Sequence, residues 1–180
     1  YSMAVQTVML IATYFGAQEI QWASQSESTT GLIICILLIQ LVAIVGATFT
    51  SKASKKYGNI PTLIAINGFW IVLCVLAYFI YLPIHFYVMA SLVGLVMGGI
   101  QALSRSTYSK LLPETEDTAS FFSFYDVTEK LAIVAGLFSF GFIEELTGNM
   151  RNSTLALGIF FIIGLVLLFK TFKNQKLAIG

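Results

Sequence analysis

Two segments place ionisable and amide side chains inside sequence that is otherwise apolar. The stretch "GGIQALSRSTYSKLLP", Gly98 to Pro113, ends an apolar run with Gln101, Ser104 and Arg105. The stretch "FFSFYDVTEKLAIVAG", Phe121 to Gly136, sets Asp126, Glu129 and Lys130 about two turns inside a run that opens on aromatic residues. An ionised group at membrane depth is tolerated only where it faces protein or water. Carboxylates, a guanidinium and amides in such a setting therefore suit three tasks: holding a polar solute, carrying a proton, or locking two helices by charge. Asp126 and Lys130 stand at i and i+4 with the acid first, the spacing of an intrahelical pair. That pairing leaves Glu129 without a partner on its own helix, and Arg105 or Lys110 from the preceding hairpin is the candidate, giving a charge network between the two segments.

Catalytic chemistry fails on inventory. The single histidine, His85, lies in the tight turn "LPIHF", so neither a Ser–His dyad nor a zinc pair of the HExxH type can be assembled. "GLFSFG" has one residue too many before Ser139 for a nucleophile elbow. No Gly-rich loop runs into Lys and Ser or Thr, so no nucleotide motor is encoded. The two cysteines, Cys35 and Cys74, sit inside apolar runs without metal or disulfide spacing. The expectation is a protein that is not an enzyme and holds neither a metal nor a cofactor.

The elements that must position these side chains follow from composition. Of 180 residues, 57% are hydrophobic and 11% charged, too apolar for an ordinary soluble domain. A net charge of +1 gives no electrostatic case for nucleic acid. A helix needs about 20 apolar residues to cross a hydrocarbon core of about 30 Å. That ruler predicts an all-α integral membrane protein, one domain over residues 1–180, with six spans at about 1–15, 31–50, 62–81, 84–104, 120–143 and 154–169. The first is short and reads as a helix entered midway, so the chain is expected to be a fragment.

Basic residues orient the spans, because short cytoplasmic loops retain Lys and Arg. Eight of the ten (Lys52, Lys55, Lys56, Arg105, Lys110, Lys170, Lys173 and Lys176) fall on one side of the six-span alternation. Arg151 alone lies in an opposite-side loop, and Lys130 is within the fifth span. Both termini are thus expected in the cytoplasm. On the fourth span, Gly94, Gly98, Gln101 and Arg105 fall within about 60° at 100° per residue, a small-residue face that lets a neighbour approach closely. Gln6, Gln40 and Asn67 are expected to hydrogen-bond between helices, and Trp22 and Trp70 to serve as interface or packing aromatics.

These features resemble the C-terminal half of a major facilitator superfamily transporter. More narrowly, "GGIQALSRSTYSKLLP" followed by "ASFFSFYDVTEKLAIVAGLFSFGFIEELTG" resembles the vacuolar effluxer, or autophagy-related, branch and its bacterial relatives. The loop "SKASKKYGNIP" departs from the superfamily's loop motif, with Lys55 where an Asp would stand and Ser51 in place of the first Gly. The resemblance implies helices seven to twelve of a twelve-helix fold, built as two inverted three-helix repeats. It implies a secondary transporter of a small solute working by alternating access, with proton coupling and amino-acid efflux as the finer expectations.

By that resemblance Gln6, Gln101, Asp126 and Glu129 line the path or couple it, and Arg105 and Lys130 hold a cytoplasmic gate. The implied partners are the lipid bilayer, a small-molecule substrate and an N-terminal six-helix half, and the implied location is a bacterial inner membrane. Two alternatives stay open: a self-contained six-helix protein that homodimerises, and a non-transporting membrane receptor or scaffold.

Overall fold

Each apolar run becomes a helix, and most of the polar stretches between them are absorbed into helix ends. The computed structural model describes residues 1–112 and 117–179, with side chains described as far as residue 174. Six helices follow in order: α1 (Ser2–Glu19), α2 (Gln25–Tyr57), α3 (Asn59–Tyr78), α4 (Pro83–Leu111), α5 (Thr118–Thr147) and α6 (Met150–Ile179). Among the described residues there is no strand.

Five helices outrun the predicted spans because their ends are well signalled, while α3 keeps the expected length but lies three residues earlier than 62–81. Ser24 caps α2 by accepting from the Glu27 backbone N–H, while Glu27 accepts from the Ala23 N–H, a reciprocal capping box that draws "QSESTT" into the helix. At its other end α2 runs through "SKASKKY", so Lys52, Lys55 and Lys56 sit on the last helical turns rather than in a loop, where positive charge complements the helix dipole. Likewise α4 continues to Leu111 and carries Arg105 and Lys110 as helical residues. The remainder of that expected connector, residues 113–116, lies outside the described residues. At the start of α5, Asp117 accepts from the Ser120 N–H, and the Ser120 hydroxyl and N–H hold its carboxyl below the usual carboxylate range.

Among the described residues, four helices are long and apolar enough to cross a membrane: α2, α3, α4 and the part of α6 as far as Asn174. Helices α1 and α5 miss that mark because they carry the polar residues, Gln6, Thr7 and Glu19 on one, Asp126, Glu129 and Lys130 on the other. Their neighbours show that they nevertheless run the length of the bundle. Gln6 meets Glu129 at one end, and Glu19 meets Arg151, just beyond α5, at the other. The same two ends are defined by Asn59 beside Ser106, Thr107 and Lys110, and by Gln21 beside Tyr81.

The packing has internal symmetry. Exchanging the first three helices for the last three maps α2–α4 onto α5–α1, α3–α4 onto α6–α1 and α2–α3 onto α5–α6, and leaves α3–α6 in place. Only α1–α2 lacks a counterpart of comparable backbone proximity. Glycines mark the repeat. Gly58 and Gly148 precede α3 and α6, each followed by Asn and each with positive φ (91° and 63°), a conformation that favours glycine. The same interval separates Gly46 from Gly136. A Cβ on Gly46 would strike the Leu95 carbonyl of α4, and one on Gly136 would strike Thr7 of α1.

The α2–α4 crossing is the closest in the bundle. Gly94 and Gly98 sit against the backbone of Ile39 and Ala43, where added Cβ atoms would come within 2.8 and 2.7 Å of carbonyl oxygens. The expected common face of Gly94, Gly98, Gln101 and Arg105 is therefore divided among neighbours: because the helices cross, its glycines meet α2 while Gln101 reaches α1 and Arg105 reaches α5. Outward, α2 and α5 leave long apolar faces exposed, including Leu41, Ile44, Leu131 and Phe138, as suits helices bordered by hydrocarbon or by further helices.

Gly46→Leu is expected to disrupt the α2–α4 crossing and lower the melting temperature of the protein at its natural length in detergent, by more than the roughly 1–3 kcal/mol of ordinary overpacking, since backbone blocks the added atoms. Gly68→Ala, whose Cβ would meet nothing within 4 Å, is the control and should leave the melting temperature within a degree or so of wild type or raise it, since Ala is the better helix former.

Candidate functional site

The polar side chains gather at two places, one at each end of the bundle. At the end where α1 begins and α4 finishes, α1 supplies Tyr1, Ser2 and Gln6, α4 supplies Gln101, Ser104 and Arg105, and α5 supplies Tyr125, Asp126 and Glu129. Arg105 Nη2 lies 3.0 Å from Asp126 Oδ1 and 3.5 Å from Glu129 Oε2. Asp126 and Glu129 are three residues apart, so they share a helix face and one guanidinium serves both. Formal charge then sums to minus one within this group.

The two carboxylates differ in surroundings. The Glu129 side chain is 16% exposed against 47% for Asp126. Glu129 Oε1 also accepts from Gln6 Nε2 at 3.0 Å and from the Ser2 hydroxyl at 3.4 Å, which ties α1 to α5. Ser104 donates to the Ile100 carbonyl at 2.6 Å, so in its 2.7 Å contact with Tyr1 it is the tyrosine hydroxyl that donates. Arg105 stands 5.8 Å from the Tyr125 ring centroid, and Tyr125 packs on Tyr108. A small pocket opens among Tyr1, Gln6, Gln101, Ser104, Tyr125 and Glu129.

The expected Asp126–Lys130 pair does not form. Arg105 takes Asp126 from the neighbouring helix, its bidentate-capable fork reaching where an exposed Lys130 on the same helix does not, and Lys130 makes no ion pair among the described residues. Lys110 donates to Asn59 Oδ1 rather than to Glu129. Gln101 touches Met9 Sδ at 3.4 Å, Gln40 is exposed, and Asn67 donates to the Phe161 carbonyl at 2.8 Å across α3–α6. Trp22 donates to the Gly16 carbonyl and packs edge-on against Phe86 and Tyr87. Tyr1, Ser2 and Tyr125 are members of the cluster that the sequence did not single out; Ser2 stands one helical turn before Gln6, a spacing that was available to find it.

The second place, at the opposite end, centres on Arg151. Its side chain is 5% exposed, and each of its three guanidinium nitrogens donates. Nε bonds Glu19 Oε2 at 2.7 Å, Nη2 bonds the Glu19 carbonyl, and Nη1 reaches the carbonyls of Ala77, Tyr78 and Ile80 at 3.3, 2.9 and 2.6 Å. The guanidinium lies 3.9 Å from the Tyr81 ring centroid. The Glu19 and Tyr78 carbonyls are the last of α1 and α3 and that of Ile80 follows just after α3, and such carbonyls need donors when buried. Arg151→Gln should cost about 3–5 kcal/mol, the range for stranding one partner of a buried pair. Thermal unfolding should show Arg151→Lys recovering only part of it, since one ammonium cannot replace a fork.

Residues 1–176 match the family described as "Vacuole effluxer Atg22 like". The chain is 30% identical over 168 residues to an uncharacterized MFS-type transporter, YxiO, of Bacillus subtilis, covering 93% of this chain and 38% of that protein. It is 28% identical to autophagy-related protein 22 of Eremothecium gossypii, covering 97% of this chain and 35% of that one, and 27% identical to its Yarrowia lipolytica namesake, covering 97% and 31%. It therefore spans about a third of the length of these relatives. No solved structure matches it at a significant level.

Proposed function

This chain belongs to the vacuole effluxer Atg22-like family, and from that premise we propose that it is one six-helix half of a secondary transporter that moves a small solute by alternating access. The single observation that carries the mechanism is the shared guanidinium: Arg105 between Asp126 and Glu129, with one negative charge left over beside a pocket. A proton can neutralise that charge and loosen the α4–α5 link, while deprotonation restores it. The half-buried Glu129 is the coupling group, because its hydrogen bonds to Gln6 and Ser2 make α1 feel its charge state. Asp126 is the more exposed partner that keeps Arg105 in place.

In this reading Gln6 and Gln101 border the solute path and Arg105 is the gate. Lys130, exposed and unpaired among the described residues, contributes surface charge at the gate rather than a bond within it. The end bearing Arg105 and the basic turns of α2 and α4 faces the cytoplasm, by the retention of positive charge. The solute class favoured is amino acids, whose two charges suit a site offering both a guanidinium and a carboxylate. Relatives nearly three times as long as this chain support a half with a companion half over a self-contained homodimer, a receptor or a scaffold. The membrane is a plasma membrane if the host is bacterial.

The test is uptake and efflux by the protein at its natural length in vesicles, with a panel of amino acids and other small metabolites, with and without a pH gradient. Gradient-driven movement of one class is expected. Glu129→Gln should uncouple that movement from the gradient while leaving passive exchange, and Asp126→Asn should slow it roughly tenfold or less, as for loss of an exposed pair worth about 1 kcal/mol. Wild-type transport by both variants across pH would overturn the coupling role.

A further inference from the structure

The bundle contains a second cavity, unrelated to the polar cluster. It lies among α1, α2, α3 and α4 in the half of the membrane nearer Arg151, with a volume of about 90 Å³. Ile11, Phe15, Cys35, Leu73, Phe86 and Met89 are among the residues that line it. No charged side chain lines it. The space is several times the roughly 10–15 Å³ that one water needs, yet its wall is too apolar to give water its two to four partners. Of the lining residues only Thr13 on α1 and Ile36 on α2 are exposed, so the opening lies between those two helices.

Thr13, Thr154 and Trp70 are the polar side chains in the wall, and the Thr154 hydroxyl is taken by the Met150 carbonyl. Trp70 is 1% exposed, stacks on Phe161 at 5.4 Å, and carries an indole Nε1 that has no hydrogen-bond partner. A buried indole N–H ordinarily finds an acceptor, and leaving one unmade is costly. An apolar chamber with a single unsatisfied donor in its wall has the character of a small-molecule site, where apolar surface supplies affinity and a few polar groups supply orientation.

We propose that this cavity binds a small, uncharged apolar molecule bearing one hydrogen-bond acceptor, which enters from the hydrocarbon between α1 and α2 and accepts from Trp70 Nε1. The site differs from the solute path in chemistry and in location. A ligand there wedges between α1 and its neighbours, and α1 also carries Gln6 of the coupling cluster, so occupancy has a mechanical route to transport.

The test uses the protein at its natural length in nanodiscs and an isosteric probe pair, cyclohexanone and methylenecyclohexane. The emission of Trp70 is isolated as the difference between wild type and Trp70→Phe, a change that keeps the stacking partner of Phe161. Cyclohexanone is expected to give a saturable red shift, and to bind roughly tenfold more tightly than the hydrocarbon because only the ketone satisfies the indole. Ala90→Leu, which fills the chamber, should abolish saturation, and Ala77→Leu serves the same purpose if that variant does not fold. Absence of a saturable response in wild type overturns the proposal. So does equal binding of both probes, the result expected if Nε1 is satisfied by water from the α6 side, and so does a response that survives filling. None of these outcomes bears on the proton-coupling reading, whose readout is transport.

Discussion

Arg151 is a cation removed from water at the point where three helices meet, and the arrangement of the bundle at that end follows from satisfying it. Its guanidinium supplies donors to the last carbonyls of α1 and α3 and a counter-charge to Glu19, while its own position is fixed by the first turn of α6. Helix C-termini inside a protein leave carbonyls without partners, and the usual remedies are a glycine cap, a water or a cationic side chain. Here one side chain closes two helix ends. A buried pair of this kind is weak evidence for net stability against an apolar replacement, but it ties the start of α6 to the ends of both α1 and α3.

The opposite end is built differently. Asn59, at the start of α3 as Arg151 is at the start of α6, accepts from Ser54 and Lys110 and donates to Ser106 and Thr107. These are neutral or singly charged contacts, several of them exposed. Each end thus has its own latch, one buried and the other open to exchange with water, and the two are built from residues that the repeat does not equate. The charge cluster of Arg105, Asp126 and Glu129 stands at the open end, where rearranging a bond costs little because water can take over the partners.

Close packing at the α2–α4 crossing completes the division of labour. Gly46, Gly94 and Gly98 bring two backbones into contact, so this pair moves as a unit. Between α1 and α5 the corresponding contact uses Gly136 alone against the side chains of Met3 and Thr7, and the apolar chamber borders α1 on its other side. Helix α5 packs closely only on α1 and α6 and buries just Gly136 and Phe140, and it is the helix that carries Glu129 to Gln6.

Much of this was legible in the residues. The six helices follow from the apolar runs, their alternation from where Lys and Arg fall, and the interest of Arg105, Asp126 and Glu129 from the cost of charge among Phe, Leu and Val. Local chemistry set those outcomes, since hydropathy, helix propensity and charge act over one or two turns. What the sequence left open was partnership. The i to i+4 spacing offered Lys130 to Asp126, and the tertiary structure gave Arg105 instead, because which side chain reaches a carboxylate depends on how two helices cross. Arg151 read only as a loop charge that broke the pattern, since nothing local reveals that the carbonyls of Glu19, Tyr78 and Ile80 converge on it from residues 71 to 132 positions away. Periodicity fixes which face a residue occupies; only packing decides what stands opposite that face.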